Sequence, residues 1–300
     1  MPPSPWHILG CGAMGRLYAA QLSRAGIHVV LLPRQAPTAK LLDIEITGLS
    51  HSRHTLPWEP PGATGPIHQL LVFTKAYDVA PALAGIGHRL GANSRVILMA
   101  NGMGYAQQLH PRLPTLRPAF GTSTQGAHRG SGAQVQHAGH GATRLGMPGV
   151  PKAPDWFAPL EQALPDCRWE SDINSALWRK LAINCAINPL TALHHCLNGE
   201  LAARPALAQQ VRALCAEIST VGAAAGQQAA LAGLQEQVFA VIHATAGNRS
   251  SMLQDLSSGR RTEVSYINGF LVQQARQHGI AAPLNQALLQ AITAKEAAIT

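Results

Sequence analysis

His7-Ile8-Leu9-Gly10-Cys11-Gly12-Ala13-Met14-Gly15 is the stretch on which the reading of this chain turns. Residues 7–9 form a short apolar run of strand type, and residues 13–25 carry a helical pattern with Gly26 as its stop. Between them lies a G-x-G-x-x-G turn. A second strand, rich in branched residues, follows at 28–32. In a strand-turn-helix-strand setting each glycine has a task. Gly10 permits the tight turn, Gly12 lets a pyrophosphate approach the main chain, and Gly15 lets the helix pack closely on the sheet. The helix start adds free N–H groups and the positive end of a dipole. A glycine-rich turn without a ligand is the alternative.

The second strand ends Leu31-Leu32-Pro33-Arg34, with no acid at the place where an NAD-binding unit usually holds the ribose 2′-hydroxyl. Arg34 suits a 2′-phosphate instead, which points to NADPH; the alternative is a solvated surface arginine. Further apolar runs at 70–74 and 96–100 each lead into a polar loop, Thr74-Lys75-Ala76 and Asn101-Gly102-Met103-Gly104. In a doubly wound sheet such loops face the ligand. Lys75 is placed to meet a phosphate or carboxylate and Asn101 to donate to the nicotinamide half, and a loop-stabilising role is equally open to both.

Strands alternating with helices predict an α/β Rossmann-type doubly wound domain over residues 1–170. Residues 48–65, rich in Pro, His and Gly, read as irregular or edge structure, and 119–147 as strand-rich. Beyond the Pro-rich piece at 147–154 the character changes, and 171–300 reads as an all-α domain. There Leu207, Val211, Leu214, Cys215 and Ile218 line one helix face. Residues 235–246 and 264–278 read likewise. The length of 300 residues fits two such domains, and the reaction is expected in the cleft between them.

Charged residues make up 13% of the chain, against about 25% in an average protein, yet the net charge is +8. Residues 1–170 hold 14 of the 23 basic and 8 of the 15 acidic side chains, without a basic cluster. With aromatics at 5%, a nucleic-acid partner is not expected, and a small anionic ligand is. No apolar run is long enough for a membrane span, and the N-terminus has no signal-peptide pattern. Five scattered cysteines fit a reduced, cytoplasmic protein.

The second half contains Leu177-Trp178-Arg179-Lys180-Leu181-Ala182-Ile183-Asn184-Cys185-Ala186-Ile187-Asn188-Pro189. Lys180, Asn184 and Asn188 fall at i, i+4 and i+8, one face of a helix that is apolar on most other sides. Such a stripe predicts an enclosed polar site, in which a desolvated lysine serves as an acid near neutral pH. The alternative is that Lys180 points to solvent and the asparagines serve the main chain. Pro189 should end or kink the helix near Asn188. Glu263 opens a later helical pattern, where complementing the helix dipole is the plain reading. Neither His194-His195-Cys196 nor His137 with His140 has the spacing of a metal site, so no metal is expected.

Taken together, residues 9–15, 101–104, 177–191, 198–201, 250–255, 262–263 and 266–270 resemble the ketopantoate reductase (2-dehydropantoate 2-reductase) family over nearly the whole chain. The resemblance implies NADPH-dependent reduction of 2-dehydropantoate to (R)-pantoate, a step of pantothenate and coenzyme A biosynthesis. It implies Lys180 as proton donor and Glu263 as a catalytic partner that also contacts the cofactor. It further implies a substrate site of Lys180, Asn184, Asn188, Asn198, Asn248, Ser250 and Ser251. The cofactor would meet Gly10, Cys11, Gly12, Ala13, Met14, Gly15, Arg34, Lys75, Asn101, Ala127 and Glu263. Two positions depart from the family pattern: Asp78, where a Gln is frequent, and Arg249 beside the substrate segment. A reductase of another 2-oxo acid and a non-catalytic dinucleotide sensor are the rival readings. Monomer and homodimer both stay open.

Overall fold

The computed structural model describes residues 4–60 and 62–298. They form two compact units, the first comprising residues up to Ala100 together with Tyr105–Asn174. It begins with β1 (Trp6–Leu9), α1 (Ala13–Arg24) and β2 (Val29–Leu32). Every residue of both strands is buried, as parallel strands covered on both faces require. Gly26, at φ 79°, follows the last turn of α1 as the sequence predicts. Next come β3 (Leu41–Gly48), β4 (Ser52–Pro57), β5 (Ile67–Val72), α2 (Ala76–Gly85), β6 (Leu90–Leu98) and β7 (Ala119–Ser123). The unit closes with β8 (Gly126–Arg129), β9 (Gln134–Gly139), β10 (Thr143–Gly146), α3 (Ala158–Ala163) and β11 (Cys167–Trp169).

The main sheet runs β11-β10-β7-β6-β5-β1-β2 and is parallel except where β10 meets β7. The chain therefore starts at β1, passes to the edge strand β2, then crosses back over β1 to β5 and winds on toward β11 at the far edge. A second sheet, β4-β3-β9-β8, was not anticipated. Its inner residues Ile44, Ile46, Leu56 and Val135 share a core with Leu17, Tyr18 and Leu22 of α1. The segment 48–65, read as irregular or edge structure, supplies its edge strand β4. The signal for β3 was present: buried Ile44 and Ile46 alternate with Asp43, Glu45 and Thr47.

The second unit comprises Asn101–Gly104 and the residues from Ser175 onward. Its helices are α4 (Ile173–His194), α5 (Glu200–Ala203), α6 (Pro205–Ala224), α7 (Leu234–Ala244), α8 (Ser251–Ser257), α9 (Asn268–Gln277) and α10 (Pro283–Ala297). The predicted face of α6 is buried at all five positions from Leu207 to Ile218. The single helix expected over 264–278 is instead a 3-10 turn, Val264–Tyr266, then a break at Ile267 (φ −101°, ψ −88°), then α9. Trp178 of α4 meets Phe270 of α9 edge-on, with ring centroids 5.7 Å apart.

Pro189 does not end α4, which continues to His194. A proline within a helix deprives the carbonyl four residues earlier of its donor. That carbonyl belongs to Cys185, and Asn268 Nδ2 donates to it at 3.3 Å. Asn268 Nδ2 also donates to Asn285 Oδ1 at 2.9 Å. Asn285 is held in turn by Glu217 Oε1, which accepts from its main-chain N and its Nδ2, both at 2.8 Å. Asn268 and Asn285 are fully buried, so the two bonds that Asn268 donates are shielded from water.

Asn268→Ala is expected to destabilise the protein by about 2–4 kcal/mol in denaturant titration, because it orphans two buried acceptors. In a Pro189→Ala background the Cys185 carbonyl regains a main-chain donor, and the same substitution should cost measurably less.

Candidate active site

In the first unit the glycine turn is built by close approach. Gly10 has φ 101°, and a Cβ on Gly15 would lie 2.1 Å from the Gly10 carbonyl oxygen. Both positions exclude any other residue. Gly12 caps α1 without a side-chain cap, no acid occupies the first turn, and a Cβ there would meet nothing within 4 Å. The start of α1, which carries helical N–H groups without an intrahelical partner, is thus open to close approach at Gly12. Thr74 Oγ1, just beyond β5, is buried without a hydrogen-bond partner. An uncapped helix start, an open approach at Gly12 and an orphaned hydroxyl fit a dinucleotide pyrophosphate. Cys11 within the turn is a thiol at neutral pH, its pKa pushed up to about 11 by burial.

Lys75 is the half-buried N-cap of α2, and Ala127 is half-buried on β8. Arg34 is 77% exposed and forms an ion pair with Asp78 in the first turn of α2. The departure noted at Asp78 therefore falls on the very arginine read as the phosphate partner.

In the second unit, Lys180, Asn184 and Asn188 are spaced along one face of α4, with Lys180 and Asn184 half-buried and Asn188 buried. Burial pulls the Lys180 pKa down from 10.5 to about 8, and the Glu263 carboxylate acts in the opposite direction. Glu263 is 4% exposed and stands at the start of the 3-10 turn. Asn101 Nδ2 donates to its Oε2 at 3.3 Å. The loop that carries Asn101 is fastened to the same turn: Met103 N donates to the Tyr266 carbonyl at 2.8 Å. Gly102, at φ 79°, leaves no room for a Cβ, which would lie 2.4 Å from the Tyr266 oxygen. Three of the residues singled out in the sequence, Lys180, Glu263 and Asn101, are thereby linked.

Asn198 N donates to the Asn248 carbonyl at 3.0 Å, and Asn198 Nδ2 to Thr245 Oγ1 at 2.9 Å. Asn198 Oδ1 is buried without a partner. Asn248 and Ser251 are exposed. Ser250 is buried as the N-cap of α8: its Oγ accepts from Leu253 N at 3.1 Å and from the Thr191 hydroxyl at 2.7 Å. Thr191, which ties this cap to α4 one turn beyond Asn188, lies in the stretch that carries the resemblance but had no role assigned to it from the sequence. Arg249 turns back to Ser257 Oγ at 2.8 Å. Among the described residues no group of three His, Cys, Asp or Glu side chains is placed to hold a metal ion, and no helix is long and apolar enough to cross a membrane.

Two family models cover most of the chain. Residues 6–149 match "Ketopantoate reductase PanE/ApbA", and residues 172–296 match "Ketopantoate reductase PanE/ApbA C terminal". The 2-dehydropantoate 2-reductase of Vibrio cholerae is 38% identical over 294 residues, covering 96% of this chain and 97% of that protein. The enzyme of the same name from Shigella flexneri is 37% identical over 296 residues, covering 96% and 94%. The solved ternary structure of a D-mandelate dehydrogenase with NADH and anilino(oxo)acetate shares the fold, with a TM-score of 0.90, 22% identity and coverage of 99% of each chain.

A lysine whose pKa lies near 8 when folded and 10.5 when unfolded leaves the unfolded state holding more protons between those values. Stability therefore rises with pH across that window, and the cost of burying the ammonium is fully present below it. Lys180→Met should raise the melting temperature at pH 7 and abolish this rise, as read by thermal unfolding from pH 7 to 10.5.

Proposed function

The chain belongs to the ketopantoate reductase family, and from that premise we propose that it reduces 2-dehydropantoate to (R)-pantoate with NADPH, for pantothenate and coenzyme A biosynthesis in the cytoplasm. The observation that carries this reading is the half-buried Lys180, held by Glu263 and in line with Asn184 and Asn188. Cofactor sensing alone has no need of such a group.

When bound, a nicotinamide dinucleotide supplies the hydride that the C2 carbonyl carbon accepts. Lys180 gives its proton to the carbonyl oxygen as alkoxide charge develops there. A pKa of about 8 keeps most of the side chain charged at neutral pH while easing proton release. Glu263 keeps the ammonium from losing its proton to burial alone, and Asn101 fixes the carboxylate that does so. Asn184 and Asn188 present amide groups along the same face for the substrate's carboxylate and hydroxyl. Asn198 Oδ1, lacking a partner within the protein, is the acceptor for a substrate hydroxyl. Asn248, Ser250 and Ser251 border that segment, with Ser250 and Thr191 setting its position. In the first unit, the turn from Gly10 to Gly15 with Thr74 holds the pyrophosphate, and Arg34, Lys75 and Ala127 serve the adenosine half.

NADPH oxidation followed at 340 nm should be fastest with 2-dehydropantoate among a panel of 2-oxo acids. A faster partner would reassign the substrate, and turnover with none would favour a sensor. Lys180→Ala should lower kcat by about 100-fold or more, the usual scale for loss of a general acid, with NADPH affinity retained in direct binding. Near-wild-type kcat would remove Lys180 as proton donor.

A further inference from the structure

β1 lies between β5 and β2 in the main sheet, and the glycine turn leaves its carboxyl end. Arg34 stands two residues beyond β2, and Asp78 is in the first turn of the helix that follows β5. Their side chains join as an ion pair, although their strands are separated by β1. The pair therefore spans the carboxyl edge beside the glycine turn, where the ribose of a dinucleotide lies in this kind of sheet.

We propose that Asp78 is a determinant of cofactor selectivity, set against Arg34 so as to weaken this chain's preference for the 2′-phosphate of NADPH over the 2′-hydroxyl of NADH. The inference rests on reading the glycine turn as a dinucleotide cradle. A phosphate monoester carries about −1.5 to −2 charges at neutral pH and seeks the guanidinium fork. Here one nitrogen of that fork, Nη2, already donates to the Asp78 carboxylate. A 2′-phosphate must take Arg34 from Asp78 or share it, and in either arrangement it sits close to a like charge. The ribose diol of NADH meets no such opposition and can donate to the Asp78 carboxylate, the service an acid at the end of β2 performs in NAD-binding units. Complementing the dipole of α2 accounts for an acid in its first turn, but not for that acid being drawn onto Arg34.

The test is direct binding of cofactors, measured by calorimetry at fixed ionic strength on the full chain and on Asp78→Asn, Asp78→Gln and Arg34→Met. The ligands are NADPH, NADH and their adenosine fragments 2′,5′-ADP and 5′-AMP. Asp78→Asn and Asp78→Gln should each shift the Kd ratio by about tenfold in favour of the 2′-phosphorylated ligand, since a nearby like charge costs on the order of one pKa-sized step. The fragments should show the same shift, which places the effect at the ribose. Arg34→Met should collapse the preference for either phosphorylated ligand. An unchanged ratio in both Asp78 variants overturns the proposal. So does a shift toward NADH, which would make Asp78 an anchor that presents Arg34 to the phosphate. Failure of the unsubstituted chain to bind any dinucleotide would instead overturn the cradle reading itself.

Discussion

A half-buried lysine ammonium, drawn partly out of water, is the constraint around which this end of the helical unit is arranged. Desolvation of a lysine has to be offset locally or the group simply discharges. Glu263 supplies the offset and is itself buried, so it must be fixed as firmly as the lysine. Two attachments accomplish this: the amide of Asn101, and a main-chain bond from Met103 to Tyr266 in the turn that Glu263 opens. The loop at 101–104 thus belongs structurally to the helices rather than to the sheet it follows. The tight approach of Gly102 to the Tyr266 carbonyl shows how little freedom the loop retains. An arrangement of this kind lowers stability at neutral pH, the common cost of a group kept ready for chemistry.

Much of this was legible in the sequence where one local pattern carried the message. The glycine turn declared itself through its strand and helix, and both Gly10 and Gly15 prove sterically irreplaceable. The buried face of α6 followed from spacing alone. The stripe of Lys180, Asn184 and Asn188 could be placed on one helix face before any contact was known. What escaped was whatever joins distant segments. Asn101 and Glu263 are 162 positions apart, and no periodicity connects them. The second sheet was missed because its strands are half-exposed and carry charges such as Asp43 and Glu45, which dilute an apolar signal. The break at Ile267 was hidden because the apolar spacing runs straight through it. Asp78 was noticed as a departure, but its engagement with Arg34 is a fact of three dimensions.

The bond between Asn268 and the Cys185 carbonyl has a consequence for how the chain comes to be folded. The helix around Pro189 lacks one main-chain bond at its centre, and the replacement donor lies 83 residues further along. A nascent chain that has emerged only as far as α7 holds α4 with this carbonyl still dependent on water. Full burial of that stretch must wait until α9 has been synthesised and docked. The stripe of Lys180, Asn184 and Asn188 lies on the same helix, on both sides of Cys185. A truncated chain lacking α9 would therefore carry every residue of the stripe without the donor that satisfies the Cys185 carbonyl between them.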